Sequence, residues 1–360
     1  MDFTVPEPQA DLAALTRRIA LDWAQKNPRP TDSGLSRDLW ATLARSGILD
    51  AALPAEIGGG GLGLTAHCAV LTELGRTVAP APYLDSIVVA AEMIVRYGTP
   101  AQVEKWLVPV LRGTETVAVA FADDHTGFVA APSGDGWRIN GAQTAVSSAA
   151  FADTLLIEAS TSEGTDLFLV PRDAKGLSIS RQSVVNGTDA ALVEAAAMPV
   201  PPEGRLTGID APARARRVAT IGWCAWQAGV TERALELTAD YARTREQFGK
   251  PIGSFQAVRQ RLADAYIDVE AVHLTALEAA WRESEGLDSE AEIATAKFWA
   301  AEAGHRVAHT AVHVHGGVGI DTEHPTHRYF VAAKRAEFAL GGATAHLRAL
   351  GAVLTGRNPS

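Results

Sequence analysis

The sequence predicts an α+β protein that is mostly helical: an N-terminal helical domain, a small central β-barrel or sandwich, and a C-terminal four-helix bundle. Three observations predict it. Apolar residues recur at helical spacing through residues 7–114, first Leu12, Leu15, Ile19 and Trp23, then Leu39, Leu43 and Ile48 around Trp40. Near Thr114 the period falls to two and stays there through a series of short strands punctuated by turn residues. After Pro201-Pro202-Glu203-Gly204 helical spacing returns in longer runs. The expected domain bounds are 1–114, 115–205 and 206–360.

Within the first domain, helices are expected over 66–74, 85–97 and 101–111, the last opened by Thr99-Pro100. The string Gly58-Gly59-Gly60-Gly61-Leu62-Gly63 formally matches a dinucleotide fingerprint. Its context fails, because Pro54 stands where a buried strand should be and no βαβ unit follows; a flexible turn into a helix near Leu64 is expected. Strands are expected over 116–121, within 134–141, and over 154–157, 166–170, 177–180 and 191–200. The later helices are expected over 214–244, 257–285, 289–313 and 327–354, the last interrupted at Gly341-Gly342.

Composition narrows the function classes. The chain has 360 residues, 47% of them hydrophobic, and a formal net charge of −10, which argues against a general nucleic-acid binder. Its two cysteines, Cys68 and Cys224, supply neither a disulfide framework nor metal spacing and suit a reducing compartment. No run approaches the roughly 18 apolar residues of a membrane span. Met1-Asp2-Phe3-Thr4 lacks the basic and apolar regions of a signal peptide, so a cytoplasmic protein with no membrane partner is expected.

One stretch concentrates chemistry. Residues 241–256 place Arg243, Arg245 and Lys250 beside Phe248 and Phe255, with Gly249 and Pro251 ending a helix. Cations in a last helical turn are favoured by the helix dipole, so a capped helix end accounts for the residue types. An anion site accounts for them as well, with Arg245 presenting a fork to phosphate and Phe248 an apolar wall.

The domain order and two motifs resemble the acyl-CoA dehydrogenase family over nearly the whole chain. The first motif is Arg243-Thr244-Arg245-Glu246-Gln247-Phe248-Gly249-Lys250-Pro251-Ile252 with Phe255-Gln256. The second is Val312-His313-Val314-His315-Gly316-Gly317-Val318-Gly319-Ile320, followed by Glu323-His324-Pro325 and Arg328. Leu53-Pro54 through Gly63, Glu73-Leu74-Gly75-Arg76 and Pro80-Ala81-Pro82 add to it. The resemblance implies a tetrameric FAD flavoprotein that oxidises an acyl-CoA thioester and passes electrons to an electron-transfer flavoprotein. By likeness, Arg245, Gln247 and Phe248 contact the FAD pyrophosphate and its surroundings, and Ile252, Phe255 and Gln256 line the same region. His313, Gly316 and Gly317 approach the FAD of a neighbouring subunit. Glycines without a Cβ let backbone N–H groups reach phosphate oxygens. His313 stands where the family usually places glutamine and still offers a hydrogen bond. His315 is expected to be structural, since spacing of two on a helix turns it away from His313.

The same resemblance exposes deficits. The catalytic carboxylate of most members falls on Leu340, and the other known placement falls on Ala219; neither residue takes a proton. Thr220 stands where the family often has arginine, with Arg216 and Arg217 nearby. Glu337 lies one turn from Leu340 and is expected to be a surface glutamate. The segment that covers flavin and substrate in many members is replaced by residues 121–128, and the flavin-stacking Trp-x-Thr reads Ala145-Val146-Ser147, leaving only the Ser147 hydroxyl. Losing a positioned base costs about 10²- to 10⁴-fold in rate. The expected function is therefore a subunit that contributes FAD-binding residues, shared at a subunit interface with a catalytic partner chain. Residues 322–342 resemble members acting on steroid side-chain CoA thioesters. Two alternatives remain open: a self-sufficient dehydrogenase using Glu337 or Glu323, and a flavin-free scaffold or acyl-CoA-binding module.

Overall fold

A computed structural model of the chain describes residues 4–27, 35–123, 126–185 and 187–356. The predicted class holds: helices, a central sheet, then long helices. The chain divides into two compact units, one of Met1–Ala24, Gly63–Ala79 and Thr220–Ser360, the other of Gln25–Leu62 and Pro80–Ala219.

The second unit carries the sheet. Helix α2 (Arg37–Arg45) starts on the Ser36 side chain, which accepts from Leu39 N. The glycine string is tied down, contrary to the flexible turn expected. Gly59 N donates to Pro54 O (3.1 Å), Gly60 N to Asp50 O (3.1 Å) and Gly61 N to Leu53 O (2.8 Å). A π-helical segment Leu84–Ala91 runs into α4 (Glu92–Tyr97). Pro100–Gln102 (α5), opened by a Thr99/Gln102 capping box, continues through a π segment to α6 (Val108–Leu111). Eight strands follow: β1 (Val117–Ala120), β2 (Gly127–Ser133), β3 (Gly136–Ser147), β4 (Thr154–Thr161), β5 (Gly164–Pro171), β6 (Leu177–Arg181), β7 (Ala190–Val200) and β8 (Arg205–Leu206). They form one sheet in the order β6-β7-β3-β2-β4-β5-β8, with β1 parallel to β4. β2, unforeseen from sequence, pairs antiparallel with β3 around the Gly134-Asp135 turn. Phe128, Ile139, Leu155, Ile157, Phe168, Val193 and Met198 fill its core.

The first unit is helical. It holds α1 (Glu7–Lys26), α3 (Gly63–Thr77) and the larger part of α7 (Ala211–Thr244), then α8 (Gln256–Ser284), α9 (Glu290–His315), α10 (Pro325–Phe338) and α11 (Ala343–Thr355). Glu73-Leu74-Gly75-Arg76 shows why such a motif is specific. A Cβ on Gly75 would meet Trp226 O at 2.2 Å, and one on Gly229 would meet Thr72 O at 1.9 Å, so α3 and α7 touch backbone to backbone. Beside that crossing, Glu73 receives Arg17 Nε and a second Arg17 nitrogen at 2.7 Å each, while Arg76 reaches Glu232 and Glu236. Gln227, fully buried, donates to Ala300 O and Ala333 O and so links α7, α9 and α10. Among the described residues no helix is long and apolar enough to cross a membrane.

Candidate functional site

The chemistry-bearing stretch folds as a miniature hairpin. Helix α7 ends at Thr244, and Arg245 N donates to Tyr241 O (2.8 Å). Glu246–Gln247 (β9) and Lys250–Pro251 (β10) then pair antiparallel, and Ile252 N closes the loop onto Arg245 O (2.8 Å). The two turn residues both sit at positive φ, Phe248 at 53° and Gly249 at 74°, as the tightest hairpin connection demands. Glycine adopts this region freely; a phenylalanine does so at a cost and is an outlier. Among the described residues the ring gains little in return, since Phe248 is 91% exposed and its ring contact is with the edge of Phe255, 6.2 Å away.

The three cations differ in their commitments. Arg243 pairs with Asp240 one turn earlier, and Lys250 lies 4.5 Å over the Phe255 ring. Among the described residues the Arg245 guanidinium forms no ion pair or hydrogen bond and is exposed.

The second motif ends α9. Gly316 takes φ 66°, ψ −140°, a conformation open only to glycine, and its N–H reaches back to His313 O and Val312 O. The turn 316–320 folds onto the helix it leaves: a Cβ on Gly319 would lie 2.8 Å from Val312 O. Gly317, in contrast, faces open space, so its backbone is accessible. These residues fit a group bearing phosphates and a flat ring: an unpaired fork, an exposed aromatic and an uncovered glycine backbone.

A groove of about 1110 Å³ runs between the two motifs. It gathers Gln247, Phe248, Ile252 and Phe255 on one side and His313 on the other. Arg245, Gln256, Gly316 and Gly317 are not in its lining, and Ser147 ends β3 in the other unit, opposite Ala190. Sequence reading missed two more lining imidazoles, His305 and His309, although their spacing of four with His313 puts all three on one helical face. His305 and His309 stand 4.3 Å apart, and burial, followed by His305 and Lys334, holds His309 below the ordinary imidazole range. Arg306, also in the groove, is committed to Asp268 (Nε–Oδ2 2.9 Å).

The expected catalytic positions lie elsewhere in the fold. Ala219 is buried on α7. Leu340 sits at φ 54° in the turn after α10, and the chain itself fastens that turn. Lys297, fully buried, donates to Ala336 O (3.0 Å), Glu337 O (3.2 Å) and Gly341 O (2.9 Å), while His346 Nε2 donates to Leu340 O (2.9 Å). Glu337 is not the surface glutamate expected. Its side chain is only 13% exposed, because Lys334 and His305 draw it in; His305 Nδ1 stands 3.2 Å from both carboxylate oxygens. Arg216 is likewise engaged: Nε meets Glu158 Oε1 (2.8 Å) and a second nitrogen meets Ala122 O (2.6 Å), while Ala122 N donates to Glu158 Oε2 (2.9 Å). The segment that replaces the family's flavin cover is thus bolted at Ala122; its Asp124 and His125 lie outside the described residues.

Comparison with known proteins bears directly on this geometry. Residues 7–114 match the family described as acyl-CoA dehydrogenase, N-terminal domain, and residues 208–354 match acyl-CoA dehydrogenase, C-terminal domain. The chain is 43% identical to the acyl-CoA dehydrogenase FadE27 of Mycobacterium tuberculosis, with 98% of each covered. It is 31% identical to acyl-CoA dehydrogenase FadE28 of the same organism, over 89% of this chain and 94% of that protein. Among solved structures it matches a chain of the ChsE4–ChsE5 complex from Mycobacterium tuberculosis with TM-score 0.95 and 43% identity, covering 100% of both chains. It also matches a chain of the Tcur3481–Tcur3483 steroid ACAD with TM-score 0.91 and 38% identity, covering 97% and 98%. The chain belongs to the acyl-CoA dehydrogenase family.

Proposed function

We propose that this chain is the non-catalytic subunit of a heteromeric acyl-CoA dehydrogenase, lending half of an FAD site to a catalytic partner chain of the same family. The observation that carries the reading is a contrast within one unit. The edge formed by Arg245, Phe248 and Gly317 is open and strained outward, while the turn at Leu340 is closed from within and bears no carboxylate. The two matched structures are each a pairing of two named proteins, one a steroid ACAD, which supports a partner of the same family and a steroid side-chain CoA thioester as substrate. When bound, FAD supplies the two-electron acceptor for α,β-dehydrogenation. This chain's part is to hold it: the Arg245 fork and the Gly316-Gly317 backbone meet the pyrophosphate, Phe248 and Phe255 exclude water, and Gln247, Ile252, Gln256 and His313 complete the wall. Ser147 retains a hydroxyl for the flavin end. On this reading the base for the α-proton would come from the partner chain, and an electron-transfer flavoprotein would take the electrons.

Purifying the chain with and without its partner and counting FAD tests the reading. The isolated chain holds no stoichiometric FAD and does not turn over; the pair does both. Arg245→Ala in the pair weakens FAD by about 10- to 100-fold, the worth of a charge-assisted hydrogen bond to phosphate. One FAD per isolated chain with turnover overturns the non-catalytic role, and unchanged FAD content in Arg245→Ala favours a flavin-free scaffold. A self-sufficient enzyme using Glu337 is disfavoured because its carboxylate is already engaged by Lys334 and His305.

A further inference from the structure

His315 lies outside the groove and is 5% exposed, yet its contacts reach α7, α9 and the first turn of α10. Its ring stacks on Tyr241, centroids 4.3 Å apart and planes 25° from parallel. Tyr241 accepts the Arg245 backbone N–H through its carbonyl (2.8 Å), so the stacked ring belongs to the residue from which the hairpin hangs. On its own helix, His315 Nδ1 lies 2.8 Å from Ala311 O, a contact that requires the proton on Nδ1. Nε2 is then a lone pair, and Thr326 Oγ1 donates to it across 3.2 Å. Thr326 is 1% exposed and stands in the first turn of α10, where its own N–H is taken by His324 Nδ1 (3.3 Å). The Gly316–Ile320 turn starts at the next residue and folds back onto His315, since a Cβ on Gly319 would lie 3.1 Å from His315 Cβ.

We propose that the neutral, Nδ1-protonated His315 imidazole is a positioning residue that fixes the separation between the Arg245 hairpin and the Gly316–Gly317 backbone, and hence the span across which a pyrophosphate is held. This rests on the half-site reading. A mere packing role would accept any flat ring of similar size. Positioning requires a donor on one edge, an acceptor on the other and a face for Tyr241, because a site that grips two phosphates at once loses affinity when its halves drift by a fraction of an ångström.

The test uses the full chain with its catalytic partner, FAD as the probe, and two readouts: the FAD dissociation constant and the thermal midpoint of the isolated chain. His315→Phe keeps the stack and loses both hydrogen bonds; it should weaken FAD about 10-fold while the midpoint moves by only a few degrees. His315→Gln, which retains a donor and an acceptor, should recover part of that loss. Tyr241→Leu, folded whether or not the His315 variants are, should weaken FAD similarly, whereas Tyr241→Phe should not. The proposal fails if FAD binding in His315→Phe and Tyr241→Leu stays within two-fold of the wild type while Arg245→Ala weakens it, and the half-site reading then stands. It fails as well if His315→Phe and His315→Gln lose midpoint and affinity together, which marks a packing residue. If Arg245→Ala also leaves FAD unchanged, the half-site reading falls with it.

Discussion

The hairpin turn at Phe248 and the turn at Leu340 are built on the same backbone oddity and resolve it in opposite ways. Each places a large apolar residue at a φ near +54°, where a side chain sits against its own carbonyl. Around Leu340, the surrounding chain supplies every compensation: a buried lysine for three carbonyls and an imidazole for a fourth. Around Phe248 it supplies almost none, and the ring stands in solvent. Strain satisfied internally is architecture; strain left open is a surface prepared for something outside the chain.

The contrast can be broken most forcefully at Lys297. Lys297→Met should destabilise the isolated chain by about 2 to 3 kcal/mol in urea unfolding, because three carbonyls, one of them buried, lose their donor at once. An unchanged unfolding midpoint would mean that the Leu340 turn is not held from within. A smaller effect is expected from pH. Burial first, with Lys297 adding to it and the Leu340 hydrogen bond opposing, keeps His346 below the ordinary imidazole range. Below about pH 6.5 the unfolded chain takes up this proton before the folded one, so stability is full above that value and falls as pH drops toward the folded pKa. His346→Gln keeps a donor for Leu340 O, cannot titrate, and should flatten the acid limb by at most about 1.4 kcal/mol per pH unit. Smallest is the paired substitution by glycine. Phe248→Gly relieves the turn and sacrifices no buried surface, so the isolated chain should gain about 0.5 kcal/mol while the pair with the partner loses FAD. Leu340→Gly relieves the same φ but forfeits half-buried packing and should cost about 1 kcal/mol. Equal signs for the two would erase the distinction.

Much of this arrangement was legible in residue order. The helical segments announce themselves by period, and the two motifs announce themselves by combining glycines, aromatics and cations at fixed offsets. Four things were not legible. The strand Gly127–Ser133 was hidden because Pro132 and two alanines dilute its alternation. Glu337 read as a surface residue because its partner His305 lies 32 positions away, and such pairs follow from tertiary packing alone. His305 and His309 were visible as a spacing of four, but the spacing says nothing until the other wall of a groove is known. Lys297 is the sharpest case: a lysine in a small-residue stripe gives no sequence hint that its ammonium is fully buried against the end of another helix.

The division of the chain into units has a consequence for how it is made. The helical unit takes three separate stretches, Met1–Ala24, Gly63–Ala79 and Thr220–Ser360, whereas the unit with the sheet is finished by Ala219. Emerging from the ribosome, the sheet can close while α1 and α3 wait with exposed apolar faces for partners that are the last to be synthesised. The proposed half-site residues Arg245, Phe248, Gly316 and Gly317 all lie in this late stretch and are among the last parts of the molecule to be made.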